Sequence, residues 1–353
     1  MANRRGADLA VAIPPGFQGR LSLPVIAAPL FIISNPGLTI AQCKAGVIGS
    51  CPALNARPAA LLDEWLARIQ QELAAHDAAH PSRLSAPFAV NQIVHRSNAR
   101  LEHDVELCVK YRVPLVITSL GAREDVNQAV HSYGGIVLHD VINERFARKA
   151  IEKGADGLIA VAAGAGGHAG TLSPFAFVQQ LRTWWNGPIA LSGAIATGEN
   201  ILAAQIIGAD FAYIGSAFIA TQEANAHADY KRMIVESDAD DIVYTNLFTG
   251  LHGNYLRPSV VRAGLDPDNL PSSDPSAMNF AEPRPGSNVR PWRDIWGSGQ
   301  GIGAVTAVVP TAELVARLRT EYDEAVARIA GVSGPYAPPS PALFRRDDTA
   351  TAA

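Results

Sequence analysis

Cysteine is scarce in this chain of 353 residues: Cys43, Cys51 and Cys108 stand apart, with no C-x-x-C spacing. That excludes a disulfide framework and a cysteine-built zinc site, and reduced thiols fit a cytoplasmic protein. An excess of one charge is missing too. With 29 basic and 33 acidic residues the formal net charge is −4, and no run of three Lys/Arg occurs, so nucleic acid is not an expected partner. No segment approaches the roughly 18 apolar residues that a bilayer span needs. The N-terminal MANRRGADLAVAIPPG is interrupted by Asp8 and paired prolines, which argues against a secretory segment and leaves no membrane role to expect. No H-E-x-x-H and no carboxylate cluster points to a metal.

What the chain does have is apolar content, 48%, enough for a substantial core. Short apolar runs at 23–29, 47–50, 88–92, 115–119, 136–141, 157–161, 189–192 and 211–215 are bounded by Gly, Pro or Asn, as buried parallel strands are. Helical-period segments fall at 59–78, 101–111, 124–132, 144–153, 174–185 and 197–208, with Asn143 as an N-cap. The sequence Gly-Ala-Asp occurs at 154–156 and again at 208–210, each time reading as a helix C-cap leading into a strand. Eight strand units in roughly 200 residues predict a (β/α)8 TIM barrel. The rival, an open doubly wound sheet, wants a phosphate loop after its first strand, and Leu30-Phe31-Ile32-Ile33-Ser34 has no glycine there.

The expected organisation is a barrel over 20–220, a mainly helical inserted cap over 221–300, a return to the barrel over 301–330 and a flexible tail over 331–353. Within the cap, 256–289 is rich in Pro, Asp and Ser. The helix expected at 311–329 would turn Glu313, Arg317, Arg319 and Glu321 to water.

The most informative segment, Gly157-Leu-Ile-Ala-Val-Ala-Ala-Gly164-Ala-Gly166-Gly167-His168-Ala-Gly170, sets a histidine among four glycines after the sixth strand. Barrel chemistry gathers at that strand end. Glycines let a flat ring or an anion approach the backbone, and an imidazole there can exchange protons near neutral pH. Gly164–Ala169 also fits G-x-G-x-x-A, but no acidic residue follows about 20 positions on, as a dinucleotide fold requires. Ser192-Gly193-Ala194-Ile195 after strand seven and Gly215-Ser216-Ala217-Phe218 after strand eight occupy the usual barrel phosphate site. Neither carries Lys or Arg, so backbone N–H groups and hydroxyls would hold the anion. Asn91-Gln92 ends strand three and His139-Asp140 ends strand five. Trp296-Gly-Ser-Gly299-Gln300-Gly301-Ile-Gly303 is a further glycine loop that could return to the barrel mouth or be a linker.

Together Ala27-Ala28-Pro29, Val90-Asn91-Gln92, Gly164-Ala-Gly-Gly-His168-Ala-Gly and the two phosphate loops resemble the nitronate monooxygenase family, over roughly residues 20–220 and more loosely to Gly299-Gln300-Gly301. The resemblance implies FMN across the barrel mouth. Ala28, Asn91, Gly166 and Gly167 would border its ring or ribityl chain, and Gly193, Ala194, Gly215 and Ser216 would hold its phosphate. Ser192, His139 and Gln300 complete the expected cofactor site, with His168 as catalytic base or orienting group. The implied reaction is oxidation of an alkyl nitronate or nitroalkane by O2 to a carbonyl compound and nitrite. Family members commonly carry Gln or Asp seven residues before the histidine, where this chain has Val161. Two other readings stand beside it: an NAD(P)H-dependent quinone or enoyl-thioester reductase on the same FMN barrel, and a non-catalytic flavin-binding protein. A homodimer is left open.

Overall fold

A computed structural model describes residues 15–273 and 292–331. Eight parallel strands form one sheet: β1 (Val25–Ala27), β2 (Gly49–Pro52), β3 (Phe88–Ile93), β4 (Leu115–Ser119), β5 (Ile136–Val141), β6 (Gly157–Val161), β8 (Ile189–Ser192) and β9 (Phe211–Ile214). Their spatial order is β1-β9-β8-β6-β5-β4-β3-β2. The ends meet where Ile26 bridges Ile48, with Ala27 N–H donating to Ile48 O at 2.8 Å and Ile48 N–H to Val25 O at 3.0 Å. The sheet is therefore a closed TIM barrel. The strand β7 (Gly167–His168) lies outside it, at the mouth.

Alternation along each strand sorts side chains into two layers. Ile26, Ile48, Ala89, Leu115, Ile117, Leu138, Ile159, Ala190 and Phe211 fill the interior, with Phe17 packed among them. The alternate residues face the helices, where two larger clusters form. The ring consists of α1 (Pro36–Ala45), α2 (Leu61–Ala79), α3 (Leu101–Lys110), α4 (Glu124–His131), α5 (Glu144–Glu152), α6 (Pro174–Arg182) and α7 (Gly198–Ile206). Asn143 Oδ1 accepts from Phe146 N–H at the start of α5, at 3.0 Å. The helix α1 corrects the sequence reading, which assigned none between the first two strands. Pro36, Leu38, Thr39, Ile40, Gln42, Cys43 and Ala45 are all buried there, so α1 has no wet face to give it an amphipathic period.

After β9 comes only the one-turn α8 (Ser216–Ile219). The chain then makes α9 (Ala228–Glu236), the antiparallel strands β10 (Ile242–Thr245) and β11 (Gly253–Leu256), and α10 (Arg257–Arg262). It returns as α11 (Thr311–Ala330), which packs against both α7 and α1 and so takes the eighth place in the helix ring. Of the four polar residues expected on its wet side, Glu313 and Arg319 are exposed. Arg317 and Glu321 are half-buried instead: Glu321 accepts from Gly198 N–H at 2.8 Å, at the start of α7. The expected tail beyond Gly331 and much of the proline-rich stretch at 256–289 lie outside the described residues. Among those described, no helix is long and apolar enough to cross a membrane.

Candidate active site

At the C-terminal end of the barrel the inward positions turn polar. Asn91 from β3, Ser119 from β4, Asp140 from β5, Ser192 from β8 and Tyr213 from β9 line a cavity of about 850 Å³ beside Val161 of β6. That volume is in the range of small-molecule sites, roughly 300–1,000 Å³.

His168 reaches this cavity because its backbone is held like a strand. Gly253 pairs with His168 and Asn254 with Gly167, so β7 adds to the β10–β11 ladder. A Cβ on Gly253 would lie 2.7 Å from Gly167 O, so the close pairing needs glycine there. The imidazole Nε2 is 2.8 Å from Thr249 Oγ1, and that hydroxyl donates onward to Leu251 O at 3.1 Å. Thr249 thus accepts from Nε2–H, which assigns the tautomer and makes Nδ1 the basic nitrogen. Trp292 meets the ring edge-on, centroids 5.4 Å apart. Burial pushes the imidazole down to about 4, so it is neutral at physiological pH.

Four chain segments are stitched together beside it. Gly164 O accepts from Ala194 N–H at 3.2 Å and from Gln300 N–H at 2.9 Å, and Gly299 N–H donates to Ser216 Oγ at 2.8 Å. Gly193, at φ +135°, takes a conformation that side chains avoid, and a Cβ there would sit 2.6 Å from Ala163 O. A Cβ on Gly166 would strike Gly299 N at 2.7 Å. These glycines bring bare backbone to the cavity wall.

The sequence profile described as Nitronate monooxygenase matches residues 19–321. The chain belongs to the nitronate monooxygenase family. It is an oxidoreductase, and membership implies a flavin. A nitronate monooxygenase of Paraburkholderia phytofirmans is 25% identical over 350 residues, covering 87% of this chain and 94% of the relative. The structure of a nitroalkane oxidase from Streptomyces ansochromogenes superposes with a TM-score of 0.73 at 22% identity, covering 88% and 98% of the two chains. FabK from Thermotoga maritima gives 0.70 at 23%, covering 88% and 96%. At these identities the two structures show a shared fold.

Against that family frame, ten of the twelve residues singled out by sequence line the cavity: Ala28, Asn91, Gly166, Gly167, His168, Ser192, Gly193, Ala194, Gly215 and Ser216. Three placements correct the reading. His139 is one residue off the inward parity of β5; its Nδ1 lies 2.7 Å from Thr118 Oγ1 in the layer behind the sheet. Gln300 is exposed and does not line the cavity: its backbone N–H donates to Gly164 O, and its side-chain oxygen lies over Gly164. Ala194 spends its N–H on the same carbonyl, so it has none to give to an anion. Ser119, Tyr213, Thr249 and Trp292 line the cavity and were missed, and so does Asp140, which was named beside His139 but not taken into the site. Parity would have found Asp140, since Leu138 and Asp140 share a face; Thr249 and Trp292 are brought in by long-range pairing that no local pattern announces.

Proposed function

We propose that the chain is an FMN-dependent nitronate monooxygenase acting on alkyl nitronates or nitroalkanes with O2, giving a carbonyl compound and nitrite. The observation that carries this is the single cavity shared by the tautomer-fixed His168 and the glycine loops after β8 and β9. The residues fit a phosphorylated flavin. Gly193 and Gly215 leave backbone bare where a phosphate would rest, and Ser192 and Ser216 bring hydroxyls. Ser216 and Ala217, first in α8, have N–H groups with no acceptor in their own helix. Asn91 and the backbone of Gly166 and Gly167 would border the ring. When bound, FMN would supply the two-electron exchange and the reaction with oxygen.

The protein's own part is to position the substrate and manage its α-proton. A neutral His168 in the cavity would act on a nitroalkane as proton acceptor. An imidazole titrating near 4 is a weak base, and a nitronate needs no proton removed, so the site favours the anion. A bound anion in turn favours the protonated ring and draws its pKa upward. The three cysteines are buried and free, in keeping with the cytoplasmic setting proposed.

His168→Asn tests the role. Turnover on neutral nitroalkane should fall at least about tenfold further than turnover on pre-ionised nitronate, the scale of general-base assistance being 10²–10⁴. Equal losses on both substrates contradict the base. Rapid bleaching of the flavin by NADH or NADPH without air, with no turnover of nitronate, would assign the reductase instead.

A further inference from the structure

Resting on the reading that the barrel mouth holds FMN, we propose that Asp140 is the proton-exchanging group that sets the reduction potential of that flavin. Its carboxyl lines the cavity from β5, where the Ser119 hydroxyl and the Leu120 N–H both favour its ionised form. Leu120 adopts φ +63°, a left-handed conformation uncommon for a residue with a side chain, and Gly121 follows at φ +134°. The chain leaving β4 thus turns sharply beside this carboxyl. Asn91 Nδ2 donates to Ser119 Oγ at 2.8 Å and to Ile117 O at 3.0 Å, so the hydroxyl proton of Ser119 is left for Asp140.

Among the described residues no Lys, Arg or His pairs with this carboxyl. Asn91 from β3, Ser119 from β4, Val161 from β6 and Tyr213 from β9 surround it; His168, Arg57 and Arg293 share the same cavity. Burial holds the Tyr213 phenol well above its ordinary value, so it does not titrate in the range of interest. Asp140 itself is pushed up to about 6 by burial.

A carboxylate in a poorly solvated cavity repels electrons added to a ring in that cavity. Coupling is reciprocal: reduction raises the proton affinity of Asp140 as much as ionised Asp140 disfavours reduction. With FMN bound, reduction of the ring would be accompanied by uptake of one proton from water onto an Asp140 oxygen, and reoxidation would return that proton to water.

The test is the midpoint potential of FMN-loaded protein from pH 5 to 9, by spectroelectrochemical titration, for wild type, Asp140→Asn and Ser119→Ala. The wild type should show a change of slope that Asp140→Asn lacks. At pH 8 the asparagine variant should favour the reduced flavin about ten- to a hundredfold more, roughly 30 to 60 mV for two electrons, with the difference vanishing towards pH 5. Ser119→Ala removes a donor to the carboxylate and should move the slope change to higher pH. This second variant carries the test where the first does not fold, and an unmoved slope change there overturns the proposal. FMN-loaded Asp140→Asn with wild-type potentials overturns this inference alone; protein that never takes up FMN overturns the functional reading with it.

Discussion

His139 and Asp140 are neighbours on β5, yet burial acts on them in opposite senses. The imidazole is pushed down to about 4 and the carboxyl up to about 6, because in each case the neutral form is favoured. For His139, only 5% exposed, the consequence is a stability that depends on pH. Its folded value lies below the unfolded value of about 6.5, so its contribution is complete above pH 6.5 and is lost as pH falls towards 4. Asp140 works the other way, disfavouring the fold as pH rises from about 4 to 6, and His168 falls in the same window as His139. Comparing wild type with His139→Gln isolates one histidine from the other groups. Between pH 7.5 and 5, urea unfolding of the wild type should lose about 2 kcal/mol more than the variant does; parallel curves would show that His139 is not buried neutral. The same pair shows what was legible at this scale. The composition of the strand end pointed to a polar rim, but the choice between His139 and Asp140 needed the register of the strand, and Gln300, chosen for its chemistry, ties Gly164 without lining the cavity. Polar residues at a strand end are half pointing away.

The twin Gly-Ala-Asp segments, read as helix C-caps, do more than end helices. Gly154 and Gly208 take left-handed φ of +89° and +111°, while Ala155 and Ala209 N–H close back on Ala150 O and Ala204 O at 3.0 and 2.9 Å. Each aspartate then clamps the adjacent strand. Asp156 accepts from Val137 N–H at 2.7 Å and Asp210 from Ile189 N–H at 2.8 Å, both at the barrel end opposite the cavity. The two differ in their cations. Asp210 is buried and takes Arg182 at 2.6 Å, whereas Asp156 meets His131 with both side chains about 40% exposed. Removing one partner of a buried pair strands the other charge, while an exposed pair contributes little. Asp210→Ala should therefore destabilise by about 2 kcal/mol more than Asp156→Ala, since the strand acceptor is lost in both. Equal denaturation midpoints for the two variants would refute that difference. The elements so clamped were legible because strand and helix signals are local. The helix α1 was not: a helix buried all round reads as a plain apolar run, and the first strand in turn proved shorter, Val25–Ala27, than the apolar run suggested.

For the molecule as a whole, the barrel is completed only when the chain comes back. The eighth strand, β9, is followed by the four-residue α8, and the helix that fills the last place in the ring, α11, arrives about ninety positions later. On the way the chain builds β10 and β11, which hold His168, and the 297–301 segment, which ties the three loops of the cavity. Closing the ring and finishing the site are thus one event. Where α11 meets α7 the backbones nearly touch: a Cβ on Gly198 would lie 2.1 Å from Tyr322 N and 2.5 Å from Leu318 O, while Tyr322 Oη donates to Gln205 at 2.6 Å. Backbone cannot yield as a flexible side chain can, so Gly198→Ala must separate the two helices. Overpacking of this kind costs about 1–3 kcal/mol. Because α11 belongs to the ring, that loss should appear as a lowered midpoint of one cooperative unfolding transition, seen alike by far-UV circular dichroism and by tryptophan fluorescence. A variant that keeps the wild-type midpoint, or that sheds α11 in a separate early step, would mean the helix merely leans on a barrel already complete without it.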